Sequence, residues 1–307
     1  MSAEDATRAA WRPGVVLDLG ATVSRFTVSP DEPVNRYDGK VFERVLEAEG
    51  SLHLLRVRPG KGTPERATLR VEIRPAVRDR RVLAHLRGQL FHILAVEDDL
   101  DGFARAARRD PVLRPLVRAF RGLRLARVPT LFEALVTAVT AQQVNLSFAG
   151  TVRARLVRAY GRRLAVDGKT HFAFPAPEAL ARATEGRIRG MKFSGAKART
   201  LLALARAFAS GEMEGVERLP TPEAIGRLTA LKGIGPWTAE TALLRGLGRM
   251  DAFPADDLGI RKVVAEYYGG GGRMSGEAVR RVAERWGGFA PYALTYLFHA
   301  RRTGVLG

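Results

Sequence analysis

The fold of this chain is decided by ten residues, Leu231-Lys232-Gly233-Ile234-Gly235-Pro236-Trp237-Thr238-Ala239-Glu240. A helix is predicted to end before the glycines, and glycine is needed where φ turns positive or where backbone approaches a ligand closely. Ile234 can pack between this helix and the next, and Pro236 is typical of a first helical turn. The second helix then points free N–H groups outward, where a phosphate can bind. Taken alone, the pattern is equally compatible with a plain connector between two helices.

Two adjacent acids follow about one helix and one loop downstream, in Phe253-Pro254-Ala255-Asp256-Asp257-Leu258-Gly259-Ile260-Arg261-Lys262. Asp257 lies 20 positions after Trp237 (257 − 237), directly before another predicted helix. A helix start attracts carboxylates through its positive dipole end. The turn and the acids together are far more specific than either segment alone.

These two segments resemble the helix-hairpin-helix/Gly-Pro-Asp superfamily of DNA glycosylases, and within it the DNA-3-methyladenine glycosylase II family, which acts on alkylated bases. Three further stretches fall in the order that the family shows. They are Phe132-Glu133-Ala134-Leu135 with Ala141-Gln142-Gln143-Val144, then Gly195-Ala196-Lys197-Ala198, then Trp286-Gly287-Gly288-Phe289-Ala290-Pro291-Tyr292-Ala293. The resemblance covers residues 81–307, and the N-terminal region is compatible with it.

The resemblance implies that Asp257, four positions before Arg261, is the catalytic carboxylate. Cleavage of an N-glycosidic bond builds positive charge on the sugar, and a fixed carboxylate beside that carbon stabilises it and can orient the attacking water. We interpret Asp256 as an N-cap or a solvated neighbour. In relatives that also nick the strand, the hairpin position held here by Trp237 carries a lysine that forms a Schiff base. Tryptophan has no amine, so we expect base removal without strand cleavage.

The resemblance also implies a base pocket walled by Trp237, which favours electron-poor alkylated bases through stacking. A plain core tryptophan is the alternative for this residue. Phe298 stands where the family type leads us to expect a pocket tryptophan, and Thr241 and Leu258 stand where relatives carry aromatic residues. The pocket is therefore expected to be less aromatic than the family type, which leaves its range of substrates open.

Several residues are expected to contact DNA if the family pattern holds. Gln143 would fill the gap left by a flipped base, although Gln142 and Gln143 are equally compatible with a helix cap. The full set of predicted DNA contacts is Gln142, Gln143, Gly233, Ile234, Gly235, Arg245, Arg249 and Lys262. The backbone carbonyls of Thr229, Leu231 and Ile234 would bind a monovalent cation, Na⁺ or K⁺, which strengthens phosphate binding. No other cofactor is expected.

Composition supports a nucleic-acid partner. The chain has 307 residues, with 50 Lys and Arg against 32 Asp and Glu, a net charge of +18 and a pI near 11.1. Such an excess attracts polyanions, although a general arginine bias explains it as well. The absence of cysteine excludes disulfides, iron–sulfur clusters and a cysteine nucleophile, and the five histidines show no metal-ligand spacing. We expect a monomer on double-stranded DNA, with neither signal peptide nor membrane span, in the bacterial cytoplasm at the nucleoid.

The predicted fold class is α+β, with a small antiparallel sheet unit in residues 1–80 and an all-α glycosylase domain of two helical subdomains in 81–307. Strand-like runs occupy residues 15–19, 52–57 and 67–73, and residues 42–46 are expected to open a helix. Ser29-Pro30-Asp31-Glu32-Pro33 indicates a turn. From residue 81 the apolar spacing is helical, and residues 131–139 form a helix buried on most sides. Further helices are predicted at 196–209, 222–230, 276–286 and 292–301.

Three other interpretations remain open from the sequence. An oxidised-base glycosylase of the same fold is disfavoured because Trp237 replaces the lysine. A non-catalytic helix-hairpin-helix DNA-binding protein would need the turn and the charge, but has no reason to place Asp257 after them. A basic RNA-binding protein would need stacking aromatics on strands, and aromatic residues make up only 7% of the chain.

Overall fold

The computed structural model describes residues 6–28 and 32–305. Most of the predicted turn at Ser29-Pro30-Asp31-Glu32-Pro33 lies outside the described residues, as do residues 1–5, on which the expectation of no signal peptide partly rests. Among the described residues, no helix combines the length and apolar character needed to cross a bilayer.

The N-terminal part forms a five-stranded antiparallel sheet in the order β1-β5-β4-β3-β2. Its strands are β1 (Thr7–Trp11), β2 (Arg36–Tyr37), β3 (Phe42–Ala48), β4 (Ser51–Pro59) and β5 (Leu69–Arg74). Alternating side chains, such as Phe42, Leu55 and Ile73, point to one face and form an apolar core there. The predicted α+β class with an N-terminal antiparallel sheet is confirmed.

Helices make up most of the rest of the chain. They are α1 (Leu19–Val23), α2 (Arg80–Ile93), α3 (Leu100–Ala106), α4 (Leu113–Ala119), α5 (Leu131–Ala141), α6 (Leu146–Tyr160), α7 (Pro177–Ala181), α8 (Glu185–Gly190), α9 (Gly195–Ala209), α10 (Thr221–Thr229), α11 (Pro236–Ala242), α12 (Leu258–Tyr268), α13 (Gly276–Glu284) and α14 (Ala290–Thr303). A π-helical turn, Leu243–Leu247, extends α11. A second sheet, β6 (Arg163–Val166) with β7 (Lys169–Phe172), interrupts the helical part.

The two parts share surfaces rather than standing apart. Helix α2 packs on the sheet through Leu86, Leu90 and Ile93, so the helix that follows residue 80 completes the core of the sheet unit. Strand β6 places Val166 against the opposite face of the sheet. Helix α5 lies at the centre of the helical part, almost wholly buried between α6, α9 and α11. This packing places α5 directly against α11.

Two local predictions in the N-terminal part are wrong. Residues 15–19 do not form a strand, because the carboxylate of Asp18 accepts the N–H of Ala21 at 2.8 Å and caps helix α1. Residues 42–46 belong to strand β3 and not to a helix, because pairing with β4 buries their apolar side chains. Strands 52–57 and 67–73 are confirmed within β4 and β5. Strand β1 and the β6–β7 hairpin were not anticipated.

Candidate active site

The hairpin connects the end of α10 to the start of α11. Gly233 has φ +90°, a conformation that favours glycine. A Cβ on Gly233 would also lie 2.0 Å from the hydroxyl oxygen of Thr200 on α9. The N–H of Ile234 donates to the carbonyl of Leu231 at 3.0 Å, and the Ile234 side chain is buried between the helices. Contacts with the protein interior therefore fix the conformation of the turn at Gly233 and Ile234, while Gly235 faces open space.

Asp257 is fixed by two hydrogen bonds from different parts of the chain. Its Oδ1 accepts the N–H of Ile260 at 2.9 Å, so Asp257 is the N-cap of α12. Its Oδ2 accepts the indole N–H of Trp237 at 2.8 Å. This bond joins α11 to the loop that carries Asp256 and Asp257. Both side chains are half-buried and line the same cavity. The carboxylate is thus held in one orientation and remains accessible.

Asp256 has neither the position nor the contacts of an N-cap. Its side chain is exposed and pairs with Arg280 at 3.0 Å. The prediction of an N-cap at Asp256 is wrong because the following residue, Asp257, already occupies that position and caps Ile260. The alternative interpretation, a solvated neighbour, describes Asp256 correctly.

The cavity beside Asp257 has a volume of about 300 Å³, at the lower end of the range for small-molecule sites. Three of the predicted pocket residues line it, namely Trp237, Thr241 and Phe298. Leu258 does not line it, because it begins α12 with its side chain turned outward and 62% exposed. Leu258 therefore lies outside the cavity.

The N-terminal part supplies a wall of this cavity that sequence reasoning did not find. Arg25, Phe26, Glu32 and Asn35 all line it, although they lie about 200 residues from Trp237 in the chain. No local pattern marks them, because their role depends only on how the sheet unit docks against α5 and α6. The cavity is therefore built from both parts of the protein.

Two ion pairs at this wall fasten the two parts together. Arg44 of β3 donates to Glu133 of α5 at 2.5 Å, with both side chains almost fully buried. Arg153 of α6 pairs with Glu32. Burial raises the pKa of the Glu133 carboxyl, and the Arg44 guanidinium opposes that rise. A buried charge of this kind depends on its partner, since an unpaired one would be strongly destabilising.

Gln142 and Gln143 end helix α5 and take different positions. The Gln142 amide donates to the Gly233 carbonyl at 3.0 Å and to the Thr238 hydroxyl at 2.9 Å, so it ties this turn to the hairpin. Gln143 is exposed and has φ +53°, which is uncommon for a residue with a side chain. Such backbone strain is found where structure is constrained for function. Gln143 therefore projects from a turn that the hairpin itself supports.

The three cationic residues predicted to contact phosphate are not equivalent. Lys262 is exposed on α12, close in sequence to Asp257. The Arg249 guanidinium donates to the carbonyls of Glu217 and Leu219 at 2.7 and 2.9 Å, so it holds together backbone segments of the protein itself. Arg245 lines the cavity. Its place inside the cavity does not fit a contact with the DNA backbone.

The carbonyls proposed as cation ligands lie at the end of α10, for Thr229, and in the hairpin turn, for Leu231 and Ile234. Among the described residues, backbone N–H donors reach the Leu231 carbonyl, but not those of Thr229 and Ile234. Carbonyl oxygens suit a hard cation, and a carbonyl that already accepts one hydrogen bond keeps a second lone pair. The donor set fits Na⁺ or K⁺. Clusters of three or more His, Asp or Glu that could hold a metal do not occur in residues 6–28 and 32–305.

Chemically, the site combines a cavity with a fixed carboxylate and an aromatic wall. A fixed negative charge stabilises positive charge that develops next to it without having to reorganise. An indole wall favours stacking of a flat, electron-poor ring. The arrangement suits a reaction in which a flat group leaves a carbon that becomes cationic.

Comparison with known proteins agrees with this geometry. Residues 136–288 match the HhH-GPD superfamily of base excision DNA repair proteins. A Bacillus subtilis protein named DNA-3-methyladenine glycosylase is 33% identical over 66% of this chain and 68% of its own length. A Mycobacterium tuberculosis protein, named as a probable bifunctional transcriptional activator/DNA repair enzyme AlkA, is 36% identical over 67% of this chain but only 40% of its own length.

A solved structure extends the likeness to the N-terminal part. The 3-methyladenine DNA glycosylase from Archaeoglobus fulgidus superposes with a TM-score of 0.83, at 29% identity, over 97% of this chain and 100% of that chain. This match includes the sheet unit as well as the hairpin region. The chain is therefore a member of the HhH-GPD superfamily of base excision DNA repair proteins, and within it of the DNA-3-methyladenine glycosylases.

Proposed function

We propose that this protein removes alkylated purines of the 3-methyladenine type from double-stranded DNA and leaves an abasic site. The observation that carries the proposal is the Asp257 carboxylate, held at the cavity by Trp237 and Ile260. The names of the relatives favour alkylated over oxidised bases. The cavity is the place for a base flipped out of the duplex.

In the proposed reaction the flipped base stacks on Trp237, and the bond between its nitrogen and the sugar carbon breaks, with the electron pair leaving on the base. Positive charge then develops on the sugar beside Asp257, which stabilises it. A water oxygen attacks that carbon, and its proton is lost to the carboxylate or to solvent. Asp257 both attracts the cationic sugar and orients the water.

The absence of an amine at position 237 supports hydrolysis without strand cleavage. A Schiff-base mechanism needs a lysine that reaches the sugar. Lys232 and Lys262 flank the region, but both are exposed and neither lines the cavity. We infer a monofunctional enzyme.

The hairpin and the turn at Gln143 would bind the DNA on either side of the flipped nucleotide. Backbone N–H groups at the start of α11 would hold a phosphate, and a monovalent cation on the carbonyls of Thr229, Leu231 and Ile234 would add positive charge there. Gln143 would occupy the space that the base leaves. Action on chromosomal DNA in a bacterial cytoplasm is part of the proposal, in keeping with the charge of +18 and the bacterial relatives.

The test is release of methylated bases from chemically methylated duplex DNA by the native protein and by Asp257→Asn. Release should fall by at least about 100-fold in the variant, because the developing charge loses its counter-charge. Strand cleavage is scored separately, without added base, and should be absent. Asp256→Asn, an exposed neighbour, is the matched control and should remain active. Undiminished release by Asp257→Asn refutes the catalytic assignment, and enzyme-dependent nicking refutes the monofunctional one.

A further inference from the structure

Exposed apolar side chains collect around the cavity. In the described part of the chain, five large apolar side chains are exposed, and four of them belong to helices that line the cavity. These four are Leu146 and Phe148 of α6, Leu258 of α12 and Phe298 of α14. Single exposed apolar residues are normal on soluble proteins, whereas a concentration of them at one place marks a binding surface. The opening of the cavity is such a place.

Two leucines lie at this opening. Leu146 lines the cavity and is nevertheless 63% exposed, so its side chain lies where the cavity meets solvent. Leu258 is equally exposed and lies outside the cavity. It directly follows Asp257, which lines the cavity, and consecutive Cα atoms are only about 3.8 Å apart. Leu146 and Leu258 together form the apolar rim of the opening.

The start of a helix holds each leucine of the rim at the surface. Leu146 is the first residue of α6 and Leu258 the first residue of α12, and their N-caps are Asn145 and Asp257. The side chain of each cap accepts a backbone N–H from the first turn of its helix, at 2.8 and 2.9 Å. Because these bonds fix the first turns, both leucines remain in a defined position on the outside.

The rim adjoins the hairpin and the cavity, where the DNA substrate has to bind. Gln142, four residues before Leu146, donates to the Gly233 carbonyl in the hairpin at 3.0 Å. Asp257, one residue before Leu258, accepts the indole N–H of Trp237 on α11 at 2.8 Å. Each leucine of the rim is therefore attached through a near neighbour in sequence to the hairpin or to the helix that follows it.

The charges beside the rim suit a polyanion. Lys262 is exposed and lies four residues after Leu258, which places both on the same face of α12. Asp256, the exposed acid near Leu258, is paired with Arg280 at 3.0 Å, which offsets its repulsion of phosphates. The whole chain carries a net charge of +18. Duplex DNA combines phosphates on its outside with apolar base faces in its stack, so it fits a cationic surface that carries exposed leucines.

We propose that Leu146 and Leu258 press into the DNA beside the flipped nucleotide and stabilise the unstacked duplex. The inference rests on the proposed function and assigns the flipping step to residues at the opening of the cavity. Extrusion of a base costs unstacking free energy, and apolar side chains inserted between base steps offset it. Gln143, proposed to fill the gap, carries a polar amide whose transfer out of water is unfavourable unless it finds hydrogen-bond partners. The leucines supply the apolar contact that Gln143 lacks.

The test uses duplex DNA that the protein cannot cut. The DNA carries a stable abasic-site analogue, and beside it a fluorescent adenine analogue whose emission rises when it unstacks. Affinity and emission are measured for the native chain, Leu146→Ala, Leu258→Ala and the double variant. Val305→Ala is the matched control, because it shortens an exposed apolar side chain that does not line the cavity. Thermal unfolding of each variant checks that the fold is kept.

We expect each single variant to bind this DNA about tenfold more weakly than the native chain, because fewer methyl and methylene groups leave water. The double variant should bind about a hundredfold more weakly, since the two leucines belong to different helices and their effects should add in free energy. The rise in emission should shrink in the same order. Val305→Ala should match the native chain in both measurements.

A second measurement separates contact with the duplex from contact with the flipped base. Base release is followed in single-turnover reactions on methylated DNA, once as a duplex and once as a single strand, in which no pair has to open. The double variant should be at least about tenfold slower on the duplex and should stay within about threefold of the native rate on the single strand, where flipping costs least.

The outcomes distinguish the inference from the proposed function. If the native chain binds and unstacks the abasic duplex but releases no base from methylated DNA, the proposed function fails and the rim keeps its role in DNA binding. If the native chain releases base and the leucine variants bind and unstack the duplex as it does, the inference is overturned. Equal slowing on duplex and single strand also overturns it, because the leucines then act on the base within the cavity.

Discussion

The hydrogen bond between Trp237 and Asp257 gives the sharpest test of how the site works. Replacement of Trp237 by phenylalanine removes the indole N–H but keeps an aromatic ring on the cavity wall. The lost bond joins Nε1 to Oδ2 at 2.8 Å, and its acceptor is a carboxylate. Hydrogen bonds to charged groups contribute about 1.5–3 kcal/mol. Because both side chains are half-buried, we take the lower value, which corresponds to about a tenfold change in rate.

The expected result is a tenfold slower release of methylated base by Trp237→Phe in single-turnover reactions at saturating enzyme. The Ile260 N–H still holds Oδ1, so the carboxylate stays near the sugar but turns more freely, and the effect should be smaller than that of Asp257→Asn. Trp11→Phe, the same substitution on strand β1, is the control. A Trp237→Phe rate within twofold of the native rate would refute the view that the indole orients the acid.

Three further predictions concern stability and are measured by urea unfolding. Gly233→Ala should lower the free energy of unfolding by about 1–3 kcal/mol, since it combines positive φ with a clash against Thr200; an unchanged midpoint would contradict this. Arg44→Met should lower the free energy of unfolding by about 3–5 kcal/mol, because it leaves the buried Glu133 carboxylate without its partner. The double variant Arg44→Met/Glu133→Leu should recover most of that loss, because it removes the unpaired charge as well. Burial lowers the pKa of His92 in the folded protein, so as the pH falls the imidazole is protonated in the unfolded chain before it is protonated in the folded one. The free energy of unfolding should therefore decrease as the pH drops below about 6.5, by up to about 1.4 kcal/mol per pH unit. In His92→Gln this decrease with pH should be smaller.

Several features of the fold could be predicted from the sequence because each depends on residues that are close together in the chain. The glycine turn before Pro236, the apolar run of α5 and the acid before α12 each depend on residues within one or two helical turns of one another. Such short-range requirements leave a readable pattern. They were enough to predict the α+β class and the hairpin, and the resemblance that these segments carry implied the family and a pocket beside Trp237. They were not enough for residues 42–46, where pairing with a neighbouring strand overrides local helical preference.

The sequence by itself singled out Asp257 as the candidate catalytic carboxylate, through the resemblance to the family, and showed that position 237 carries no amine. Only the tertiary structure decided that the Trp237 indole holds Asp257, that Leu258 faces outward, and that Arg25 and Arg245 share one carbonyl. These relations join residues far apart in the chain, and their geometry follows from how the sheet unit docks on α5. Composition and spacing carry no record of that docking, because it depends on the packing of whole surfaces.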